Sequence, residues 1–335
     1  MAGKSGRTIN ATPQNVWKKR LISWEGVLVV ILVAVLILCR AMSANYTFEN
    51  VLREMPKYLS EMFLMLPMAF ILMMGEIDIS VGSIVCLSGT LGCFAVNAGL
   101  PFPVALLIML GSGIICGAIN GLIIVMFPEL PSMIVTLGTQ IIFRGIAEIM
   151  LGGGGSISAT NADGFRAIGK SIGNIPMVFF LVVIASVIFV LISTKMKFGR
   201  ELMAIGSNRL TAFYSGVKVK KVLFITYVTM GAFSALCAIF FTAATYGANT
   251  TTGKGFEMDA IAMAVFGGIS STGGKGKMIG GIISAFVIIC LRIGLGQKNM
   301  NSQLILLIIG VLLIGAVVLP NISAMITAKK KKASV

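Results

Sequence analysis

The feature that most constrains this chain is a succession of long apolar runs filling most of its 335 residues. A bilayer core takes about 20 apolar residues per helix. Ten segments meet or approach that length: 26–44, 57–75, 81–98, 103–127, 132–151, 176–194, 222–244, 259–271, 278–296 and 303–320. Two regions, 57–98 and 259–296, are interrupted by glycine and polar residues. With 57% hydrophobic and only 12% charged residues, the chain lacks the material for a water-facing surface, because soluble chains carry roughly 25% charge. A soluble enzyme is excluded. The expected fold is all-α and polytopic, with about ten transmembrane helices, two of the segments broken or short. Residues 1–25 read as a cytoplasmic N-terminal segment, 26–320 as one transmembrane domain, and 321–335 as a basic cytoplasmic tail.

Charge sets the orientation. The chain carries +15, but its bases are not spread evenly. With the N-terminus inside and the spans alternating, the inner side receives Lys4, Arg7, Lys18, Lys19, Arg20, seven bases in 195–221, Lys275, Lys277 and Lys329 to Lys332. The outer side receives Arg53, Lys57, Arg166, Lys170, Lys254 and Lys298. That bias follows the positive-inside rule and accounts for the net charge as topology signals and contacts with anionic membrane lipids. Nucleic acid is not an expected partner. No cleavable signal peptide is expected, since about 25 polar residues precede the first apolar run.

Residue inventory narrows the chemistry further. There is no histidine, so the commonest general base and metal ligand is missing. The six cysteines, at 39, 86, 93, 116, 237 and 290, all lie in apolar runs and read as small buried hydrophobes. No metal and no cofactor are expected. GFRAIGKS, from Gly164 to Ser171, matches the phosphate-loop pattern in every position. That pattern needs a strand before it and a helix after it; Gly173 and Pro176 oppose the helix, and the segment falls on the outer side. It is read as a chance match.

Polar residues inside apolar runs are the candidates for function. GEIDISVGS, from Gly75 to Ser83, must line water or pack inside protein, because lipid would leave its polar groups without partners. A tight turn between helices is its plainer reading. The stretch from Met258 to Gly281 repeats the logic, and together the two suggest an internal repeat with interrupted segments in corresponding places. Asn120, Thr136, Thr139 and Gln140 add uncharged groups suited to a hydroxylated solute. Arg144 and Glu148, four residues apart, are placed to pair on one helix face, which would either ease insertion or serve the path. Arg40 and Arg292 lie near span ends and are expected to snorkel; Glu61 lies near an outer end. Two loops stand out. The inner loop 195–221 has helix-compatible, amphipathic sequence between Gly199 and Gly216, and is read either as a solvated basic loop or as a docking element for a cytoplasmic partner. The outer loop 152–175 opens GGGGS, and is expected to bury no core and to be mobile.

At these residues the chain resembles the membrane permease subunits of bacterial ABC importers for simple sugars, the ribose, xylose, arabinose, galactose and rhamnose type, together with those for furanone-derived quorum signals. The matching stretches are GEIDISVGSIVCLSG, GAINGLIIVMFPELPSMIVTLGTQIIFRGIA, GRELMAIGSNRLTAFYSGVKVKKV and MDAIAMAVFGGISSTGGKGKMIGGIISA, over roughly residues 60–295. The resemblance implies an inner-membrane, non-catalytic translocation subunit. Its implied partners are a second permease, identical or homologous, a cytoplasmic ATP-binding subunit that hydrolyses ATP, and an extracytoplasmic sugar-binding protein. It places Gly206, Asn208, Ala212, Ser215 and Gly216 in the ATPase-coupling loop. Asp78, Ser80, Gly82, Ser83, Asn120, Thr136, Asp259, Gly267 and Gly268 fall on its other motifs. With Thr139, Gln140, Arg144 and Glu148 they form the expected translocation path or gate. Phe213 and Glu76 depart from the usual residues. An ion-coupled secondary carrier, using Glu148, Asp78 or Asp259 as coupling carboxylate, is the alternative, and a passive channel or scaffold subunit a further one.

Overall fold

The computed structural model describes residues 23–314 apart from 153–154, 161, 174, 299, 302, 306 and 312–313. Most of 1–25, all of 321–335 and the end of the tenth predicted span lie outside the described residues. Helices dominate. They are α1 (Trp24–Met42), α2 (Phe48–Met73), α3 (Val81–Asn97), α4 (Phe102–Met126), α5 (Ser132–Met150), α6 (Asp163–Ile168), α7 (Met177–Lys195), α8 (Lys197–Ser207), α9 (Arg209–Tyr214), α10 (Val219–Thr245), α11 (Phe256–Phe266) and α12 (Met278–Gln297). Strands are β1 (Ser156–Ser158), β2 (Ser171–Ile172), β3 (Ile175–Pro176) and β4 (Gly247–Asn249).

Among the described residues, seven helices are long and apolar enough to cross a membrane: α1, α2, α4, α5, α7, α10 and α12. The apolar α3 is shorter, at 17 residues, and follows a non-helical stretch that runs from Met74 to Ser80. The eleven residues of α11 rise only about 16 Å, roughly half a bilayer core.

The bundle has a buried centre and an apolar exterior. In α2 every residue from Leu59 to Met73 is buried, as are most of α10 and α12. Phe70 stacks on Phe189 at 4.8 Å and Phe63 on Phe240 at 5.6 Å, locking α2 to α7 and α10. Helices α1, α4, α5 and α7 turn Val30, Ile37, Ile115, Ile141, Ile149 and Ile184 outward, a cost in water that lipid or a second apolar surface removes. Backbone approach between α4 and α10 depends on small residues. A Cβ on Gly113 or Gly117 would collide with the backbone of Gly231 or Tyr227, the close packing that spacing small residues by four permits in membranes.

The loop 152–175 departs from expectation. It is folded: β1 pairs antiparallel with β4, and Phe165 is completely buried with its ring edge-on to Phe102 at 5.1 Å. The aromatic anchor and the strand partner supply the burial that its glycines and serines do not. The phosphate-loop match dissolves here too, because helix α6 lies inside the motif and Lys170 is followed by the β2–β3 hairpin. All six cysteines are buried and unpaired.

Candidate functional site

Two interrupted segments meet inside the bundle. After α2 the chain turns at Gly75, whose φ of 78° suits glycine, and stays non-helical to Ser80 before α3 begins. Such backbone at bilayer depth needs partners from protein, and the start of α5 supplies them. Ile77 N–H donates to Ser132 Oγ at 3.2 Å and Ile79 N–H to Thr136 Oγ1 at 3.2 Å. Asp78, fully buried, accepts from the Ser80 N–H at 2.8 Å and the Ser80 hydroxyl at 2.7 Å; Asn120 Nδ2 donates to the same hydroxyl at 2.7 Å. Three expected site residues are thereby joined in one network. Asp78 Oδ2, Asn120 Oδ1 and Ser83 Oγ are buried without a hydrogen-bond partner.

The second interruption follows α11, at Gly267 and Gly268. A further non-helical stretch, 250–255 between β4 and α11, meets the start of α3 where Gly82 faces Gly253; a Cβ on either would collide with the other's carbonyl oxygen. Arg144 holds this segment, donating to the carbonyls of Thr250 at 3.3 Å and Thr252 at 2.6 Å. This corrects the expected Arg144–Glu148 pairing: carbonyls freed from helix geometry offer Arg144 closer partners, and Glu148 is exposed. Thr139 is buried and donates to the carbonyl of Thr136, and Gln140 is half-buried. Gly267 packs on Gly280 and Gly281, and Gly268 on the Trp24 indole, whose Nε1 donates to the Phe266 carbonyl at 3.0 Å.

A cluster that sequence reasoning missed lies inside the bundle. Arg292 Nη1 bonds Glu61 at 2.9 and 3.2 Å, and Nη2 bonds Asp259. Glu61 stands twelve residues before the end of α2, about 18 Å along the axis. Arg292 therefore does not snorkel; it bridges α2, α11 and α12 inside the protein. The available signal was Glu61 itself, since an acid in an apolar helix demands a buried partner.

At one end of the bundle, the basic loop 195–221 forms α8 and α9. Gly206 lies against Met73 and Gly274, with no room for a Cβ, and Gly274 N–H donates to the Met73 carbonyl at 2.9 Å. Gly273 in turn touches Gly75. One junction thus joins α8 to the turn after α2 and to the loop after α11. Arg209 adds an ion pair with Glu76 at 3.2 Å. The other loop residues have local tasks. Asn208 caps α9 through Thr211 N–H at 2.8 Å, Ser215 Oγ donates to the Thr211 carbonyl, Ala212 is buried, and Gly216 takes φ 83° in the closing turn. Leu210, Phe213 and Tyr214 are instead exposed, and Leu210 and Phe213 border an apolar groove of about 710 Å³ with Val125, Pro128 and Val217.

Residues 60–317 match the permease component family of branched-chain amino acid transport systems. The chain belongs to this permease family. The permease is 33% identical over 256 residues to the D-allose transport system permease protein of Escherichia coli (strain K12), covering 76% of this chain and 77% of the relative. It is 33% identical over 253 residues to the ribose import permease protein of Bacillus subtilis (strain 168), covering 75% and 78%. It is 30% identical over 319 residues to the autoinducer 2 import system permease protein of Salmonella typhimurium, covering 92% and 94%. No solved structure matches it. As a member of this family with seven membrane-length helices among its described residues, the permease is a multi-pass membrane protein.

Proposed function

We propose that this chain is the permease subunit of an ATP-driven ABC importer that moves a simple sugar or related small hydroxylated solute across a bacterial inner membrane. It works with a second permease subunit, a cytoplasmic ATP-binding subunit that carries the hydrolysis, and an extracytoplasmic sugar-binding protein. The relatives named for allose, ribose and autoinducer 2 import support the substrate class. In this reading ten segments lie in the membrane, α3 and α11 being partial spans, and both termini are cytoplasmic.

The observation that carries the mechanism is the junction of Gly206, Gly75 and Gly274. The ATP-binding subunit docks on Leu210, Phe213 and Tyr214. Its movement displaces α8, and the junction passes that displacement to both interrupted segments at once. Asp78, Ser80, Gly82, Ser83, Asn120, Thr136, Thr139, Gln140, Arg144, Asp259, Gly267 and Gly268 form the gate and its supports, with Glu148 on the exposed flank of α5. An ion-coupled carrier is less well supported: Asp259 is engaged by Arg292, and Asp78 by Ser80.

The test is uptake by the reconstituted importer, with binding protein, across a panel of pentoses, hexoses and deoxysugars. Uptake that stops on ATP depletion and survives an uncoupler is expected. Gly206→Val should abolish uptake while the ATP-binding subunit still co-purifies. Full uptake by Gly206→Val would overturn the junction's role, and uncoupler-sensitive uptake would restore the ion-coupled reading.

A further inference from the structure

A polar cleft of about 570 Å³ opens at the end of the bundle opposite α8, between the first turns of α2 and the last turns of α12. It is well within the range of small-molecule sites, roughly 300–1,000 Å³. Its polar lining is Asn45, Asn50, Arg53, Glu54, Tyr58 and Gln297. Amides, a phenol and one charge of each sign offer donors and acceptors with no net charge, the pattern for a neutral ligand rich in hydroxyls.

The cleft also leads somewhere. Asn50, Glu54, Tyr58 and Glu61 recur every three to four residues of α2, so they share one face. Across from them Arg292 lies one turn below Gly296 on α12. Tyr58 lines the cleft and stands three residues before Glu61 on that face of α2. A polar stripe therefore runs from the mouth of the cleft inward to the Glu61–Arg292–Asp259 cluster.

We propose that this cleft is a solute subsite of the permease, taking a neutral polyhydroxylated small molecule such as a monosaccharide at the outer end of the Glu61–Arg292–Asp259 stripe. The ligand class rests on the sugar-import reading above. The cleft's place as a binding site rests on its own lining.

Gly296 gives a direct test, because it borders the cleft and a Cβ there meets nothing within 4 Å. The native cysteines are all buried, so a membrane-impermeant maleimide should report Gly296→Cys alone. In the assembled importer, labelling from outside is expected, slowed severalfold by ribose or allose and not by leucine. Gly296→Phe, which fills the cleft, should lower uptake at limiting solute by about tenfold, with co-purification of the ATP-binding subunit showing that the fold persists. Labelling indifferent to every sugar that the parent imports would overturn the subsite and leave the import reading standing. Slowing by leucine instead would overturn the ligand class. Failure of the parent importer to take up any sugar would overturn the import reading itself, and the ligand class with it.

Discussion

At the scale of single residues, Arg292 is the side chain whose loss should be felt most. It is buried between Glu61 and Asp259, and removing one partner of a buried ion pair leaves charge without compensation, a cost of about 3–5 kcal/mol. Arg292→Leu should therefore lower thermal stability sharply in nanodiscs, and adding Glu61→Gln should recover part of the loss. Arg292→Lys should fall between, since an ammonium cannot reproduce the planar fork that reaches two carboxylates. Gly82 makes a second sharp case. Gly82→Ala would drive a methyl into the Gly253 carbonyl and Glu257 carboxylate, so folded yield should fall. Gly111→Ala enters open space and should leave yield and uptake unchanged; both are checked by size-exclusion recovery and uptake.

Among elements, α8 and α9 divide their labour between holding shape and presenting a surface. Asn208 closes the N-terminus of α9, and loss of such a cap costs about 1 kcal/mol. Asn208→Ala should speed amide exchange across 209–214 while the spanning helices keep their protection. Phe213 and Tyr214 pack on each other at 5.7 Å yet remain exposed. Phe213→Ala with Tyr214→Ala should leave the fold intact and weaken retention of the ATP-binding subunit in pull-down. The elements α3 and α11 differ from the other helices in starting from irregular backbone. Their non-helical lead-ins are held by Ser132, Thr136 and Arg144, side chains that replace the backbone partners a full helix would have supplied.

For the whole molecule, orientation is the property open to the simplest experiment. The basic end carries α8 and α9, and the polar cleft lies at the other. Impermeant labelling of intact cells should spare Phe213→Cys and modify Gly296→Cys, with the reverse in inverted vesicles. The permease alone, reconstituted without an ATP-binding subunit, should show no uphill uptake of any sugar. The exposed apolar faces of α1, α4, α5 and α7 leave ample surface for lipid and for a second subunit.

The sequence by itself determined membrane insertion, nine of the twelve described helices to within a few residues at most ends, and two places where helix gives way to other backbone. These follow from local physics: apolar runs of bilayer length insert, and Gly75 and the glycines after Phe266 interrupt helix wherever they sit. The N-terminal extension of α2 back to Phe48 was hidden, because Glu49, Arg53, Glu54 and Lys57 look like loop until Tyr46, Val51 and Leu52 find a surface to bury against. Family motifs marked Asp78, Asn120 and Asp259, yet only the tertiary structure decided their partners. Spacing along one helix could offer Arg144 only Glu148, and could offer Arg292 only the interface; the carbonyls of Thr250 and Thr252 and the carboxylates of Glu61 and Asp259 come from residues between 33 and 231 positions away. A buried charge takes the partner that packing brings within reach, and sequence distance places no limit on that choice.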